Sequence, residues 1–446
     1  MKHSLPLLAA VLSLALAAPS AAASPDPLPN PDRHFATPFM HRGEKGASGP
    51  ADASASAGRA CQVMRMLARR GNGAVGLRVF NLRSRKNVCA LNSGARRSLA
   101  SNNKLFTIST ALDRLGQDQR LQTRVMAGGK ISRNGVLDGN LYLKGGGDPS
   151  FGTARFVNRW FGGHGSEIEK LARKVRQAGI RKVTGRLFFD DSVFDQVRGV
   201  ADSGYATSPW IGPLSGIAFN EGYTSPSLSR FSNDPARLAA RTFVRAMRAR
   251  GVKIRPRFSP RDTPMKLLKR VVAREVSPDM GWMARATLLD SNNFFAETLL
   301  KVLGASFHGL GTTANGVKVV RRTMASLKVD VWPIDGSGLT YGNRSTAHDV
   351  VKLLFRARSE PWGKALVAGM PTAGVDGTLE DRMRGSAAQG NCHAKTGTLT
   401  GVSALSGYCF NSSGRRFAFS ILMNDVTNLD TAHRAQDRIA ALIARL

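Results

Sequence analysis

Acid is the first thing this chain is short of: 31 Asp and Glu stand against 64 Lys and Arg in 446 residues, a formal charge of +33. Such an excess draws polyanions. Aromatic surface is short as well, since five Trp and five Tyr offer bases little to stack on. No Cys/His finger spacing and no dense basic tail are present, so nucleic acid is not an expected partner. The charge is instead referred to an anionic wall or membrane surface. Beyond the N-terminal stretch no apolar run is long enough to cross a bilayer. Cysteine is limited to Cys61, Cys89, Cys392 and Cys409, which permit three disulfide pairings. Local pairing, Cys61 with Cys89 and Cys392 with Cys409, is favoured because each pair falls within one supersecondary unit; four reduced, buried thiols are the alternative. His393 adjoins Cys392, but no further ligands follow at a zinc spacing, and neither metal nor cofactor is expected.

What is present begins with an export signal. Lys2 and His3 precede a Leu/Ala segment reaching about Ala18, and Ser20-Ala21-Ala22-Ala23 closes it. Residues 1–23 therefore read as a signal peptide cleaved near Ala23, with a membrane anchor as the competing reading. An exported, periplasmic protein is expected, with peripheral contact to wall or membrane. Residues 24–58 are rich in Pro, Ala, Ser and Gly and read as a flexible leader.

The ordered chain divides by texture. Cys61 to Leu67 predicts a short helix, Ala74 to Leu82 a strand, and Val88 to Leu91 its return partner. From Val125 glycines cluster, ending in Gly145-Gly146-Gly147-Asp148-Pro149. That run lacks the Gly-Lys-Ser/Thr ending of a phosphate loop and reads as a turn after the strand Leu141-Tyr142-Leu143. Ile168, Leu171 and Val175 mark a helix over 167–178, Val183 to Phe189 a strand, and Ala236 to Gly251 another helix. Small strands and helices over 125–265 fit an inserted accessory domain between 59–124 and 266–446. The second part predicts helices at Met280 to Leu289 and Phe294 to Leu303. Three antiparallel strands follow, at Cys392 to Leu399, Ala404 to Phe410 and Phe417 to Met423, and then a terminal helix over 431–446. The class is α/β, sheet and helices together.

Chemistry concentrates at Ser101-Asn102-Asn103-Lys104. A hydroxyl and an ammonium three residues apart share one face of a helix. The stripe Leu105, Ile108, Leu112 and Leu115 overlaps that face and carries Lys104 inward. A lysine that loses solvent loses basicity, and a neutral amine within reach of a hydroxyl can serve as its base. Ser-x-x-Lys alone is common. Two later stretches add to it: Ser291-Asn292-Asn293, and Lys395-Thr396-Gly397-Thr398 in a strand. The trio in this order is the signature of penicillin-binding proteins and class A β-lactamases.

With these motifs the chain resembles the D-alanyl-D-alanine carboxypeptidase and endopeptidase family of class C low-molecular-mass penicillin-binding proteins, the penicillin-binding protein 4 type, peptidase family S13. Further matching stretches are Gly145 to Pro149, Asp290 to Glu297, Asp335-Gly336-Ser337-Gly338-Leu339 and Ala373 to Leu379. The resemblance spans roughly 60–446. It implies a β-lactamase/transpeptidase-like serine hydrolase fold interrupted by inserted sequence, and the wide gap between Ser101 and Ser291 is like this family rather than a β-lactamase. It also implies stem peptides ending in D-Ala-D-Ala as substrate, β-lactam antibiotics as covalent inhibitors, and no cofactor.

The resemblance further implies roles. Ser101 is the nucleophile, Lys104 its base, Ser291 the proton relay to the leaving amine and Asn293 the holder of the substrate amide. Lys395 is expected to stay cationic, attract the terminal carboxylate and keep Lys104 neutral. Thr396 and Thr398 offer hydroxyls to that carboxylate, Gly397 lets substrate backbone approach the strand, and the N–H groups of Ser101 and Thr398 form the oxyanion hole. Asp190 matches an aspartate that reads the amino group of the stem's diamino acid, with Asp191 the neighbouring candidate. Asp335, Asp376 and Arg382 are expected to organise turns. Two competing readings are a serine β-lactamase-like hydrolase, distinguished by rapid penicillin turnover, and a non-catalytic wall-binding protein, motivated by charge.

Overall fold

The computed structural model describes residues 50–446, with side chains from Ala57 onward; the signal peptide expected over 1–23 lies outside them. Helix α1 (Pro50–Arg70) starts earlier than Cys61 and takes in the end of the expected leader. Alternate alanines from Ala51 to Ala57 are strong helix formers, and Pro50 is acceptable at a first helical position. Strands β1 (Ala74–Asn81) and β2 (Lys86–Leu91) form a hairpin, and β3 (Arg96–Ser98) leads into a short 3₁₀ turn, Ala100–Asn103. Helix α2 (Lys104–Leu115) follows directly.

Six strands then build a separate sheet: β4 (Arg120–Ile131), β5 (Val136–Lys144), β6 (Lys182–Val183), β7 (Leu187–Asp190), β8 (Phe258–Pro260) and β9 (Val271–Asp279). Its order is β8-β7-β5-β4-β9, with β6 also on β5. Helices α3 (Ala154–Phe161), α4 (Ile168–Gln177) and α5 (Pro235–Ala249) belong to this stretch. Apolar residues of α4 and α5 close a core over β5 and β7 that includes Leu141, Leu171, Leu187 and Phe243. The expected limits 125 and 265 cut through β4 and leave out β9, because a change of glycine texture does not report strand pairing. The single strand expected over 183–189 is two, β6 and β7, although the backbone between them stays bonded to β5, Gly185 N to the Gly139 carbonyl at 2.9 Å and Leu141 N to the Arg186 carbonyl at 3.0 Å.

The catalytic half resumes with α6 (Met280–Leu289), α7 (Asn293–His308) and α8 (Thr313–Ser326). After β10 (Val331–Trp332) and β11 (Arg344–Thr346) come α9 (Ala347–Ala357) and α10 (Gly363–Gly369). Strands β12 (Cys392–Leu399), β13 (Val402–Phe410) and β14 (Arg416–Asn424) lead to α11 (Leu429–Ile443). These three strands join the first hairpin in a five-stranded sheet, β12-β13-β14-β1-β2, with Ala74 paired to Asn424 at its centre. Alternation with period two buries both faces. Phe417, Phe419 and Ile421 meet α1 and α11 on one side, while Ala418 and Leu422 join the core around α2 and α9 on the other. Among the described residues, no helix is long and apolar enough to cross a membrane.

The disulfides are Cys61–Cys89, tying α1 to β2, and Cys392–Cys409, joining residues directly opposite in β12 and β13. Loops of 28 and 17 residues are closed. A chain-entropy estimate gives about 3 kcal/mol for loops of this size. Replacing Cys392 and Cys409 together by Ala should therefore lower unfolding free energy by about 3 kcal/mol, measured by chemical denaturation under non-reducing conditions. An unchanged midpoint would show that the β12–β13 ladder alone holds those ends together.

Candidate active site

The 3₁₀ turn and α2 put Ser101 and Lys104 where the sheet edge, α6–α7 and the 335–340 loop meet. Lys104 is fully buried. Its Nζ lies 2.9 Å from Ser101 Oγ, 2.7 Å from Asn293 Oδ1 and 2.8 Å from the Ser337 carbonyl. Burial pulls its pKa from the usual lysine value down to about 7, with the Glu297 and Asp335 carboxylates acting in the opposite direction. Three partners around an amine near its titration point define its chemistry. Asn293 Nδ2 donates to the Trp210 carbonyl at 3.0 Å, which fixes Oδ1 as the atom turned to Lys104. Asn293 Oδ1 and Ser337 O can only accept. A neutral amine spends its two N–H groups on them, and its lone pair is left for the Ser101 O–H.

Helix α7 carries this arrangement. Asn292 caps it, Oδ1 accepting from Phe295 N at 2.9 Å. Ser291, just before the cap, is left-handed with φ 59°, a conformation costing a non-glycine residue on the order of 1–2 kcal/mol. One turn along α7, the buried Glu297 Oε1 accepts from Gly336 N at 2.9 Å and Ser337 N at 2.6 Å. Asp335 accepts from Gly338 N and Thr340 N, and from Asn343 Nδ2. On the α2 side, Asn103 Nδ2 donates to Asp335 O and Thr107 Oγ1 to Gly336 O. The 335–340 loop is thereby pinned from both helices. Gly338 has φ 87°, and a Cβ there would lie 1.9 Å from the Ala100 carbonyl, so only glycine fits beneath the serine turn.

Strand β12 closes the other side. Asn102 Nδ2 donates to the Lys395 carbonyl at 3.1 Å. A Cβ on Gly397 would meet Leu99 O at 2.9 Å and Asn102 N at 3.1 Å. The glycine is thus required by the chain's own serine turn, which packs against the strand there. Thr396 Oγ1 bonds Thr378 Oγ1 at 2.8 Å, and Thr398 is exposed. Lys395 is buried, its Nζ donating to the Thr396 carbonyl at 3.0 Å. Burial first, then the charge of Lys104, push its pKa well below the ordinary lysine value, while Asp290 acts the other way. Both amines are therefore depressed, because the strand position removes Lys395 from water as completely as the helix removes Lys104.

Ser101, Lys104 and Asn293 are in direct contact, and the β12 motif packs on the serine turn. Ser291 stands beside them in the sequence of the turn, but its hydroxyl makes no hydrogen bond among the described residues. It lines a cavity with Asp290, Asn293, Trp160, Trp210 and Glu221. Asp190 is not there. It ends β7, fully buried, with Lys144 Nζ at 2.7 Å, Ser192 Oγ at 2.6 Å and Thr263 N at 2.7 Å on its carboxylate. Burial alone would raise its pKa; these hydrogen bonds outweigh it and hold the carboxyl below the ordinary aspartate value. The amino group it holds is the chain's own, which corrects the expectation of a substrate contact. Asp191 is likewise engaged, by Arg198 and Ser215. Asp376 accepts from Thr372 N, and Arg382 binds Asp437.

Glu221 is the cavity residue that sequence reasoning passed over. Asn292 Nδ2 donates to its Oε1 at 2.7 Å, so it steadies the same turn that presents Ser291, and burial pushes its carboxyl up to about 7. The only sequence signal was the turn-like Asn220-Glu221-Gly222, which carries no catalytic pattern.

A serine in contact with a buried lysine amine, an Asn-bearing helix start and a Lys-Thr-Gly strand are the features of an acyl-transferring serine hydrolase of the penicillin-binding kind. Comparison with known proteins makes the assignment narrower. Residues 63–233 and 223–446 match the D-Ala-D-Ala carboxypeptidase 3 (S13) family. The D-alanyl-D-alanine carboxypeptidase of an Actinomadura species is 31% identical over 425 residues, covering 77% of this chain and 76% of that one. Carboxypeptidase DacB of Mycolicibacterium smegmatis is 29% identical, covering 77% and 74%. Penicillin binding protein 4 from Haemophilus influenzae superposes with a TM-score of 0.71 at 20% identity, over 85% of this chain and 97% of that one. The chain belongs to the S13 family and is a serine-type D-Ala-D-Ala carboxypeptidase.

Gly397→Ala tests the close approach of strand and serine turn. The new methyl must displace the turn or the strand, at a cost of about 1–3 kcal/mol, and acylation of Ser101 should slow with it. Denaturation and the rate of labelling by a serine-directed acylating probe measure the two effects; wild-type values for both would show that the approach is not tight in solution.

Proposed function

We propose that this enzyme removes the terminal D-alanine of peptidoglycan stem peptides, and cleaves D,D cross-links, through an acyl-enzyme on Ser101. The observation that carries this reading is the Lys104 amine, committed to two acceptors and left with one lone pair facing the serine. As Ser101 Oγ attacks the carbonyl between two D-alanines, its proton passes to Lys104 and a C–O bond forms. Collapse of the tetrahedral adduct breaks the C–N bond, and the proton reaches the leaving amine from Lys104 through Ser291. A hydroxyl between two amines passes a proton without holding charge, which suits Ser291 to that step. Water then hydrolyses the ester by the same route in reverse.

Substrate supplies what the two lysines lack. Its terminal carboxylate, arriving beside Lys395, favours the ammonium form there, and a cationic Lys395 in turn keeps Lys104 neutral. Thr396 and Thr398 hydroxyls take the remaining carboxylate contacts. Asn293 holds the substrate amide while retaining Lys104, and the N–H groups of Ser101 and Thr398 receive the oxyanion. β-Lactams enter the same path and stop at the acyl-enzyme. The setting is periplasmic, with stem peptides as substrate and the positive surface turned to anionic wall or membrane.

Mass spectrometry of products from defined muropeptides tests the substrate. Loss of one D-alanine is expected from pentapeptide stems, and separation of the two stems from a cross-linked dimer. Labelled penicillin should attach at Ser101 and fail to attach to Ser101→Ala; a label that survives the substitution would sink the assignment.

The pH dependence follows from Lys104. Its folded value of about 7 means that below this pH the amine is protonated and has no lone pair to offer. Acylation by penicillin should therefore rise with pH through a midpoint near 7 and level off above it. Lys104→Ala should reduce the plateau by roughly 10²–10⁴-fold, the range for losing a general base, and remove that limb. A wild-type limb persisting in Lys104→Ala would assign it to another group.

A further inference from the structure

Far from the serine, the ends of α2 and α7 and the outer face of α8 enclose a cleft of about 400 Å³. Its walls carry Arg114, Lys318, Arg321 and Arg322, with His308 and Phe307, and no carboxylate. Arg114 lies ten residues along α2 from Lys104, about 15 Å at the helical rise, so the cleft is separate from the cavity that holds Ser291.

The cations here are not spent on ion pairs. Among the described residues none of the four has an acidic partner: Arg114 stacks on the Phe307 ring at 4.7 Å, and Lys318 reaches only Asn315 Oδ1 at 3.5 Å. The adjacent Asp113 is already held by the Trp362 indole. Arg114 sits in the last turn of α2, where positive charge complements the helix dipole. The three on α8 have no such reason. Lys318, Arg321 and Arg322 stand at i, i+3 and i+4 on one face, where like charges repel, and α8 contains no acid to relieve them.

We propose that this cleft binds a phosphate-bearing linear polyanion, a chain of the polyphosphate or phosphodiester kind. Guanidinium forks match phosphate oxygens two at a time, and Arg114 is steadied over the Phe307 ring. Concavity favours a flexible chain, which can enter, over the headgroups of a flat bilayer, which meet only the rim. Bases have one aromatic ring to stack on, and Arg114 covers it, so the contacts on offer are to phosphate alone. This site is independent of the acyl chemistry.

Binding of the full chain to inorganic polyphosphate, followed by fluorescence anisotropy across a salt series, tests the proposal. The triple variant Lys318→Gln, Arg321→Gln, Arg322→Gln should lose affinity on the order of tenfold, with a log–log salt slope shallower by roughly 2. A control removes equal charge from exposed positions of α5, as Arg241→Gln, Arg245→Gln, Arg248→Gln, and should change both far less. Circular dichroism and thermal melting establish that each variant folds; should the triple fail, Arg114→Gln, which leaves α8 untouched, is expected to weaken binding several-fold. Equal losses in the two triples would overturn the site and leave only diffuse charge. Retention on phosphatidylglycerol vesicles without polyphosphate binding would assign the cleft to membrane instead. Single-stranded DNA binding far tighter than polyphosphate of equal charge would make it a nucleic-acid site.

Discussion

The burial of one amine sets the terms for everything around it. Lys104 has no exposed surface and three oxygen neighbours, and an ammonium kept from water without a fixed carboxylate contact gives up its proton near neutrality. The nearest acids, Glu297 and Asp335, are occupied with backbone N–H groups of the loop beneath it. They raise the lysine's affinity for a proton only partly. A carboxylate in direct contact would have held Lys104 as a cation, with no lone pair to offer the serine.

Helix α7 distributes that constraint. Asn293, Glu297 and Lys301 stand at i, i+4 and i+8 on one face. The first holds Lys104, the second fixes the loop at Gly336 and Ser337, and the third binds Asp195 and the Val197 carbonyl in the stretch after β7. One rigid element thus registers the base, the floor of the site and the inserted chain against one another. The left-handed Ser291 is the tail of the same arrangement, next to Asn292, whose side chain accepts from Phe295 N and donates to Glu221.

Much of this was legible in the sequence where local rules act alone. The Ser101/Lys104 spacing, the helix at Met280 to Leu289 and the strand Cys392 to Leu399 follow from periodicity and appear with those bounds. What was not legible depended on distant partners. Nothing near Lys395 announces that β12 will pack on the serine turn, so the amine's loss of solvent was missed. Asp190 carries no mark of the Lys144 that neutralises it across β5 and β7. Gly397 carries no sign that the serine turn nearly three hundred positions away also needs a glycine there. Helix α8 escaped notice because its large apolar positions, Val319, Val320 and Met324, crowd into one stretch between polar runs.

The central sheet joins strands from opposite ends of the chain: β1 lies between β2 and β14, and Ala74 meets Asn424. Pairings so distant are slow to form, because loop-closure entropy is spent before the contacts return it. The inserted sheet relieves part of this, since Arg120 and Asp279 sit opposite each other where the chain departs and comes back. Once those strands zip, some hundred and sixty residues shrink to a short tether in the search that remains. Loop closure of this kind favours the accessory sheet before the central one, and the Lys-Thr-Gly wall is in place only once β12 to β14 have joined β1.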